Sequence, residues 1–174
     1  MKKYLIAILC AFSTISVSAG DGDDRLTVSA GFLFPSTLDA QIGWEHDLSY
    51  GNSIEVIAEA GNHWQTPVCH MFWKGYYWDG GVSYKHRLKR FKNGQLRIRG
   101  GVIAGADQKD FFFGPEIGFE YDYVFPNGWR FCVIQKNNVN FLHGDTFRNG
   151  LLIGLHVPFS SLHHFDAFKF TARS

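Results

Sequence analysis

The run FFFGPEIGFEYDYVF, Phe111 to Phe125, changes character at every residue. Phe111, Phe113, Ile117, Phe119 and Tyr121 fall on one parity. Gly114, Glu116, Glu120 and Asp122 fall on the other. Period two marks a strand whose two faces meet unlike surroundings. A helix would scatter both sets around its circumference. The run therefore predicts a strand with one oily, aromatic face and one acidic face.

The same rhythm extends in both directions. Toward the N-terminus, Leu26, Val28, Ala30, Phe32 and Phe34 alternate with Thr27, Ser29 and Gly31. Leu38, Ala40, Ile42 and Trp44 alternate with Asp39, Gln41, Gly43 and Glu45. Ile54, Val56, Ala58 and Ala60 alternate with Glu55, Ile57, Glu59 and Gly61. Tyr76, Trp78, Val82 and Tyr84 stand against Asp79, Ser83, Lys85 and Arg87. Leu96, Ile98, Val102 and Ala104 stand against Arg97, Arg99 and Gly101. Beyond the opening run, Trp129, Phe131 and Val133 oppose Arg130, Cys132 and Lys136. Last, Leu151, Ile153, Leu155, Val157 and Phe159 oppose Gly150, Gly154 and His156. That makes eight segments, each near the length a tilted strand needs to cross a bilayer.

Turn residues punctuate the segments. Pro35-Ser36-Thr37, Tyr50-Gly51-Asn52, Asn93-Gly94 and Pro126-Asn127-Gly128 predict tight connections. Longer connections are expected from Asn62 to Lys74 and from Asn137 to Phe147, with a loop at Asp107 to Asp110. Short turns follow segments two, four and six, and the longest connections follow segments three and seven. Outer-membrane barrels place short turns on one side and long loops on the other. Aromatics gather near segment ends: Phe34, Tyr50, Trp64, Tyr76, Phe111, Tyr123, Phe125, Trp129 and Phe159. Rings there can bury an apolar body and keep a polar edge wet.

Composition agrees with this reading. The chain has 174 residues, enough for one domain, with 17% aromatic residues and 19 glycines. Many glycines suit a β protein with tight turns. A formal net charge of +1 offers no electrostatic case for direct binding of nucleic acid. The mean hydropathy of −0.12 does not exclude a membrane barrel, because only alternate residues of each strand face lipid.

The start of the chain reads as a secretory signal, residues 1–19. Lys2 and Lys3 are the basic start, Tyr4 to Ile15 the apolar core, and Val17-Ser18-Ala19 the small residues before cleavage at Gly20. The apolar core is shorter than the roughly 20 residues of a spanning helix. Cys10 suggests a lipoprotein, but Leu9 stands where a small residue is wanted. No later segment is long and apolar enough for a spanning helix. The expected organisation is a cleaved leader, a barrel over residues 20–159, and a tail over 160–174. Export makes a disulfide between Cys69 and Cys132 chemically possible, and two free thiols equally so.

The face opposite the oily one carries Asp39, Glu45, Glu55, Glu59, Asp79, Glu116, Glu120 and Asp122. It also carries Lys85, Arg87, Arg97, Arg99, Arg130, Lys136 and Arg148. An eight-stranded barrel has little interior beyond side-chain space. A balanced ionic network filling that interior is expected rather than a pore. The central members are Glu55, Glu59, Arg97, Arg99, Glu116, Glu120 and Arg130. The fold class that follows is all-β, an eight-stranded antiparallel up-and-down transmembrane β-barrel. A small soluble exported β-barrel or sandwich, with these charges solvated outside, is the alternative.

Three runs carry a family resemblance, and a fourth carries a separate likeness. They are GNHWQTPVCHMFWKGYYWDGG (Gly61 to Gly81), FFFGPEIGFEYDYVF (Phe111 to Phe125), QKNNVNFLHGDTFRNG (Gln135 to Gly150) and LIGLHVPF (Leu152 to Phe159). In the last, Gly154, Val157 and Phe159 look like the terminal-strand assembly signal of outer-membrane proteins, although Ser160 to Ser174 follow it. From about Leu26 to Phe159, the chain resembles the TraO-like conjugal-transfer family of Bacteroides-type conjugative transposons. The resemblance implies an outer-membrane barrel accessory to DNA transfer, with other apparatus proteins as partners. It implies no catalytic residue and no cofactor.

The candidate binding residues lie in the two long connections. One holds His63, Trp64, His70 and Trp73, and the other holds Asn138, Asn140, His143 and Asp145. Loops on a rigid scaffold are where binding residues concentrate. A metal site from His63, Cys69, His70 and His143 matches no standard zinc spacing. A lipid hydrolase could use His143 as base and Asp145 as acid, but no serine stands near them in sequence. The expectation is a binding surface, without catalysis or a bound metal.

Overall fold

The computed structural model describes residues 24–34, 37–63, 76–107, 110–141 and 147–162. Strands form where the period-two runs stand. They are β1 (Asp24–Phe34), β2 (Thr37–Asp47), β3 (Ser53–His63), β4 (Tyr76–Arg90), β5 (Gly94–Asp107), β6 (Phe111–Val124), β7 (Arg130–Val139) and β8 (Phe147–Pro158). Each pairs antiparallel with the next, and β8 returns to pair with β1. The result is the closed, eight-stranded up-and-down barrel that the alternation predicts. Closure gives every strand two neighbours, so no row of backbone amides is left at an edge.

The short turns close as their residues demand. Tyr50 and Gly51 take left-handed backbone angles inside the 3-10 turn Ser49–Gly51. At the β6–β7 turn Gly128 has φ +84°. Its amide donates to the Phe125 carbonyl at 3.0 Å, and the Asn127 side chain accepts from the Trp129 amide at 3.1 Å.

Two boundaries differ from expectation. β7 runs to Val139 instead of ending near Lys136, and β8 begins at Phe147. The alternation does continue, with Asn138 and Asn140 inward and Val139 and Phe141 outward. The Phe141 amide donates to the Phe113 carbonyl at 2.8 Å. Amides on both faces of this stretch hide the pattern in the sequence. At the other boundary, Phe159 does not end a strand. β8 stops at Pro158, and Phe159–Leu162 form the single helical turn α1. The leader, residues 1–19, and the tail beyond 162 lie outside the described residues.

The oily parity faces outward. Phe32, Ile42, Ile54, Val102, Ile117 and Ile153 are exposed on the barrel surface. Leu26, Ile54 and Ile153 therefore do not share a dry centre. Rings collect toward the strand ends: Phe34, Tyr76 and Phe111 at the end where β1 and β2 connect, Tyr50, Tyr123 and Phe125 at the other. Trp129 and Phe159 are half-buried, and Trp64 lies outside the described residues. Tyr77 departs from the girdle, being turned inward and 1% exposed.

Glycine has another use here than the expected one. Most of the described glycines sit within strands, many of them on the inward parity and opposite a large inward side chain. Across β2 to β6 the register reads Gly43, Ile57, Gly81, Ile103, Gly114. A Cβ on Gly81 would lie 2.8 Å from Cγ2 of Ile103. One on Gly61 would lie 2.6 Å from Cζ of Tyr77. Alternating small with large is how a narrow barrel fits its own interior.

The outward face makes a quantitative expectation. Ile153→Arg, near the centre of β8, should destabilise the protein folded in lipid vesicles by about 2–4 kcal/mol. The measurement is the shift of the denaturant midpoint against the parent chain. A shift near zero would mean that this face meets water.

Candidate functional site: the ion-paired lumen

Inward parity collects charge because the strands are amphipathic and closure leaves their polar face nowhere else to go. Among the described residues, the buried carboxylates are Asp39, Glu45, Glu55, Glu59, Asp79, Glu116, Glu120 and Asp122. The buried cations are Arg25, Lys85, Arg97, Arg99, Lys136 and Arg148. Charges this deep are costly unless paired and hydrogen-bonded.

The densest cluster lies toward the short-turn end. Arg97 on β5 reaches β2, where Nη1 donates to Glu45 Oε1 at 2.5 Å. The same nitrogen donates to Ser53 Oγ at 3.0 Å. Arg97 Nη2 pairs with Glu120, and Nε lies 2.9 Å from Asp122 Oδ2. Lys85 on β4 sits among three acids, at 2.7 Å from Glu45, 2.9 Å from Glu120 and 3.0 Å from Glu55. Arg99 adds Glu116 at 2.8 Å and Glu55 at 3.3 Å. His156 on β8 faces Glu45 through Nδ1 at 3.3 Å and Glu120 through Nε2 at 3.2 Å. Side chains from β2, β3, β4, β5, β6 and β8 are thus joined across the lumen.

Toward the other end the network thins. Lys136 pairs with Glu59 and lies 3.3 Å from Glu116. The Tyr77 hydroxyl donates to Asp39 at 3.1 Å and to Glu59 at 3.2 Å. Among the described residues Arg148 meets rings rather than acids, its guanidinium lying 4.2 Å from the Tyr77 centroid and 5.0 Å from that of Phe112. Leu33, Ile57, Ile103, Phe112, Ile134 and Leu152 are buried inside as one apolar cluster with Tyr77 and Cys132. The expectation of a lumen filled by ions alone is corrected: it is part ionic and part apolar.

The interior residues expected from sequence come together. Glu55, Glu59, Arg97, Arg99, Glu116 and Glu120 are buried in the lumen. Arg130 is half-buried at the short-turn end and lies 2.9 Å from Asp47. The loop residues do not form one group. Asn138 is on β7, buried and in register with Arg148. Asn140 is also buried and inward-facing. Both belong to the lumen rather than to a loop, because β7 is longer than its sequence signal. His63 closes β3 through backbone pairing with Thr37. Trp64, Cys69, His70, Trp73, His143 and Asp145 lie outside the described residues. Cys132 is a buried free thiol.

Sequence reasoning missed the role of His156. It was legible only as an inward residue, and nothing local shows three acids around it. Glu45, Glu55 and His156, and also Glu120, Asp122 and His156, have the mutual spacing of cation ligands. Their charge is already met by Lys85, Arg97 and Arg99, so a metal would have to displace these cations.

Comparison with known proteins supports the fold and nothing finer. No family model matches the chain, and no curated protein matches it. One similar solved structure is described as "De novo design of transmembrane beta-barrels". It superposes with a TM-score of 0.55 at 14% identity, covering 79% of this chain and 95% of that one. The chain has the fold of a transmembrane β-barrel.

Two results follow from the packed lumen. Arg97→Met leaves Glu45, Glu120 and Asp122 short of a counter-charge, and should lower stability by about 3–5 kcal/mol. Denaturant titration of the refolded variant in detergent measures it. In a Cys69→Ser background, Cys132 should stay unlabelled by a water-soluble maleimide while folded, and react fully in urea. Rapid labelling of the folded barrel would show that the lumen is open.

Proposed function

We propose that this chain is a non-enzymatic outer-membrane β-barrel, exported through a cleaved leader, that acts as an accessory or structural component of a conjugative DNA-transfer apparatus. Its work is binding, without turnover. The observation that carries this reading is the filled interior. Arg97, Lys85 and Arg99 tie the strands across the lumen at one level. Leu33, Ile57, Ile103 and Phe112 occupy it at another. Among the described residues, side chains that cross the lumen in this way favour a structural role over conduction or turnover.

Binding then falls to the rims and the outer surface. The connections 64–75 and 142–146 begin and end at the same rim, since β3–β4 and β7–β8 turn at one end of the barrel. The recognition chemistry of these segments would come, on this proposal, from His63, Trp64, His70, Trp73, His143 and Asp145 of the sequence. Membership of a transfer apparatus rests on the likeness of Gly61 to Gly81, Phe111 to Phe125 and Gln135 to Gly150 to TraO-like proteins. Partners would be outer-membrane lipid and other apparatus proteins, with no direct contact to nucleic acid.

The test combines localisation with transfer. The membrane fraction should show a band whose migration changes on boiling, as folded barrels do. Deleting the gene in a donor should lower mating frequency while leaving envelope lipids unchanged. His143→Ala should then affect transfer alone. Altered lipid acylation in that variant would favour the hydrolase reading, and stepwise conductance in a planar bilayer would favour a channel.

A further inference from the structure

Between its rims, the outer surface of the barrel is mostly aliphatic, aromatic or small; among the described residues the polar exceptions are His86 on β4 and a group of amides on β7 and β8. On β7, Cys132, Ile134, Lys136 and Asn138 face the lumen. Gln135 and Asn137 therefore face outward, toward hydrocarbon. On β8, Arg148 faces in and Asn149 faces out, exposed. Three amides thus stand together on an oily wall, with Gln135 at the middle of its strand.

Register brings them into one patch. Asn137 is opposite Asn149, and Gln135 is opposite Leu151 on one side and Phe119 on the other. Asn149 Nδ2 donates to Asn137 Oδ1 at 2.9 Å. Asn137 Nδ2 donates to the Ile117 carbonyl at 3.1 Å. These two bonds leave the Asn149 oxygen and an N–H of each asparagine unused. The Gln135 amide makes no side-chain hydrogen bond among the described residues. Asn149 is opposite the rim residue Phe34; Gln135, at mid-strand, is the amide most costly against lipid alone, because lipid tails return no hydrogen bonds. Between membrane segments, amide side chains act as polar glue.

We infer that the outward face of β7 and β8 around Gln135, Asn137 and Asn149 is a docking surface for a second copy of this chain within the bilayer. The inference rests on the membrane reading above. A carboxamide donates and accepts at once and carries no charge. A patch made only of carboxamides therefore complements its own image. Turned about a two-fold axis, each Gln135 meets the amides of the second copy, and the contact closes as a dimer. A charged partner would find no opposite charge here. Ile117, Phe119 and Leu151, exposed beside the amides, supply the apolar flank.

The experiment uses the full chain in phosphatidylcholine vesicles, with donor and acceptor dyes and increasing lipid dilution. The parent protein should show energy transfer that fits a monomer–dimer equilibrium. The triple variant Gln135→Leu, Asn137→Val, Asn149→Leu should weaken association on the order of tenfold or more. It should still change migration on boiling, which shows an intact barrel. Should the triple variant not fold, Gln135→Leu alone should weaken association in the same direction. In a Cys69→Ser background, Leu151→Cys, beside the amides, should cross-link under oxidation, and Ile42→Cys on β2 should not. A monomeric parent at every dilution, an unweakened variant, or equal cross-linking at both positions would overturn the dimer. Retained capture of a lipid or another protein by a monomeric parent would assign the patch to that occupant. A parent band indifferent to boiling would remove the membrane reading and the dimer with it.

Discussion

The pairing of β8 with β1 is the constraint on which this molecule depends. It runs from Arg25 opposite Pro158 to Phe34 opposite Asn149. In hydrocarbon each unpaired amide or carbonyl is costly, so a sheet there must close. Once closed, each strand has one face inside and one outside. A one-residue slip of any strand would exchange its faces and turn its charges outward, Lys85 if β4 slipped or Arg97 and Arg99 if β5 did. Register, polarity and location are therefore a single choice.

Closure also fixes the interior volume, and that volume governs the side chains. Eight strands enclose room for little more than their own residues. Long cations such as Arg97, Arg99 and Lys136 enter only because neighbours give way. Gly118 is opposite both Arg99 and Lys136. Gly150 is opposite Leu33 and Lys136. Losing the side chain at these positions weakens local strand preference. Pairing on both flanks offsets that cost.

The strand faces were legible in the sequence because alternation needs only neighbours to be read. Phe111 to Asp122 shows it most plainly, and all its assigned faces hold in the structure. The polarity of the barrel, its strand number and its interior acids and bases follow from the same signal. Asn137 to Asn140 were not legible, because amides occupy both parities there and look like a loop. Nor was the mixed lumen. Ile57 and Ile103 read as ordinary strand residues, and only the register sets them on either side of Gly81. Arg148 looks like one more base on a charged face. Which partner a long cation takes depends on strands distant in sequence, and here two rings take the place of an acid.

A barrel that spends its interior on its own stability has only surfaces left for function. Arg97 and Lys85 each pair with several acids, so moving either strands more than one opposite charge. The energetic penalty of breaking such a set exceeds that of altering a rim residue, because exposed charges are screened. Selection acting on function is therefore freer at the rims and on the lipid face than within. The amides on β7 and β8 fit that logic. They lie outside the ionic network, on a wall where apolar residues would fold as well or better. Asn137 and Asn149 bond to one another and to the Ile117 carbonyl, so Gln135 is the member for which contact with a second copy would supply what the chain itself does not.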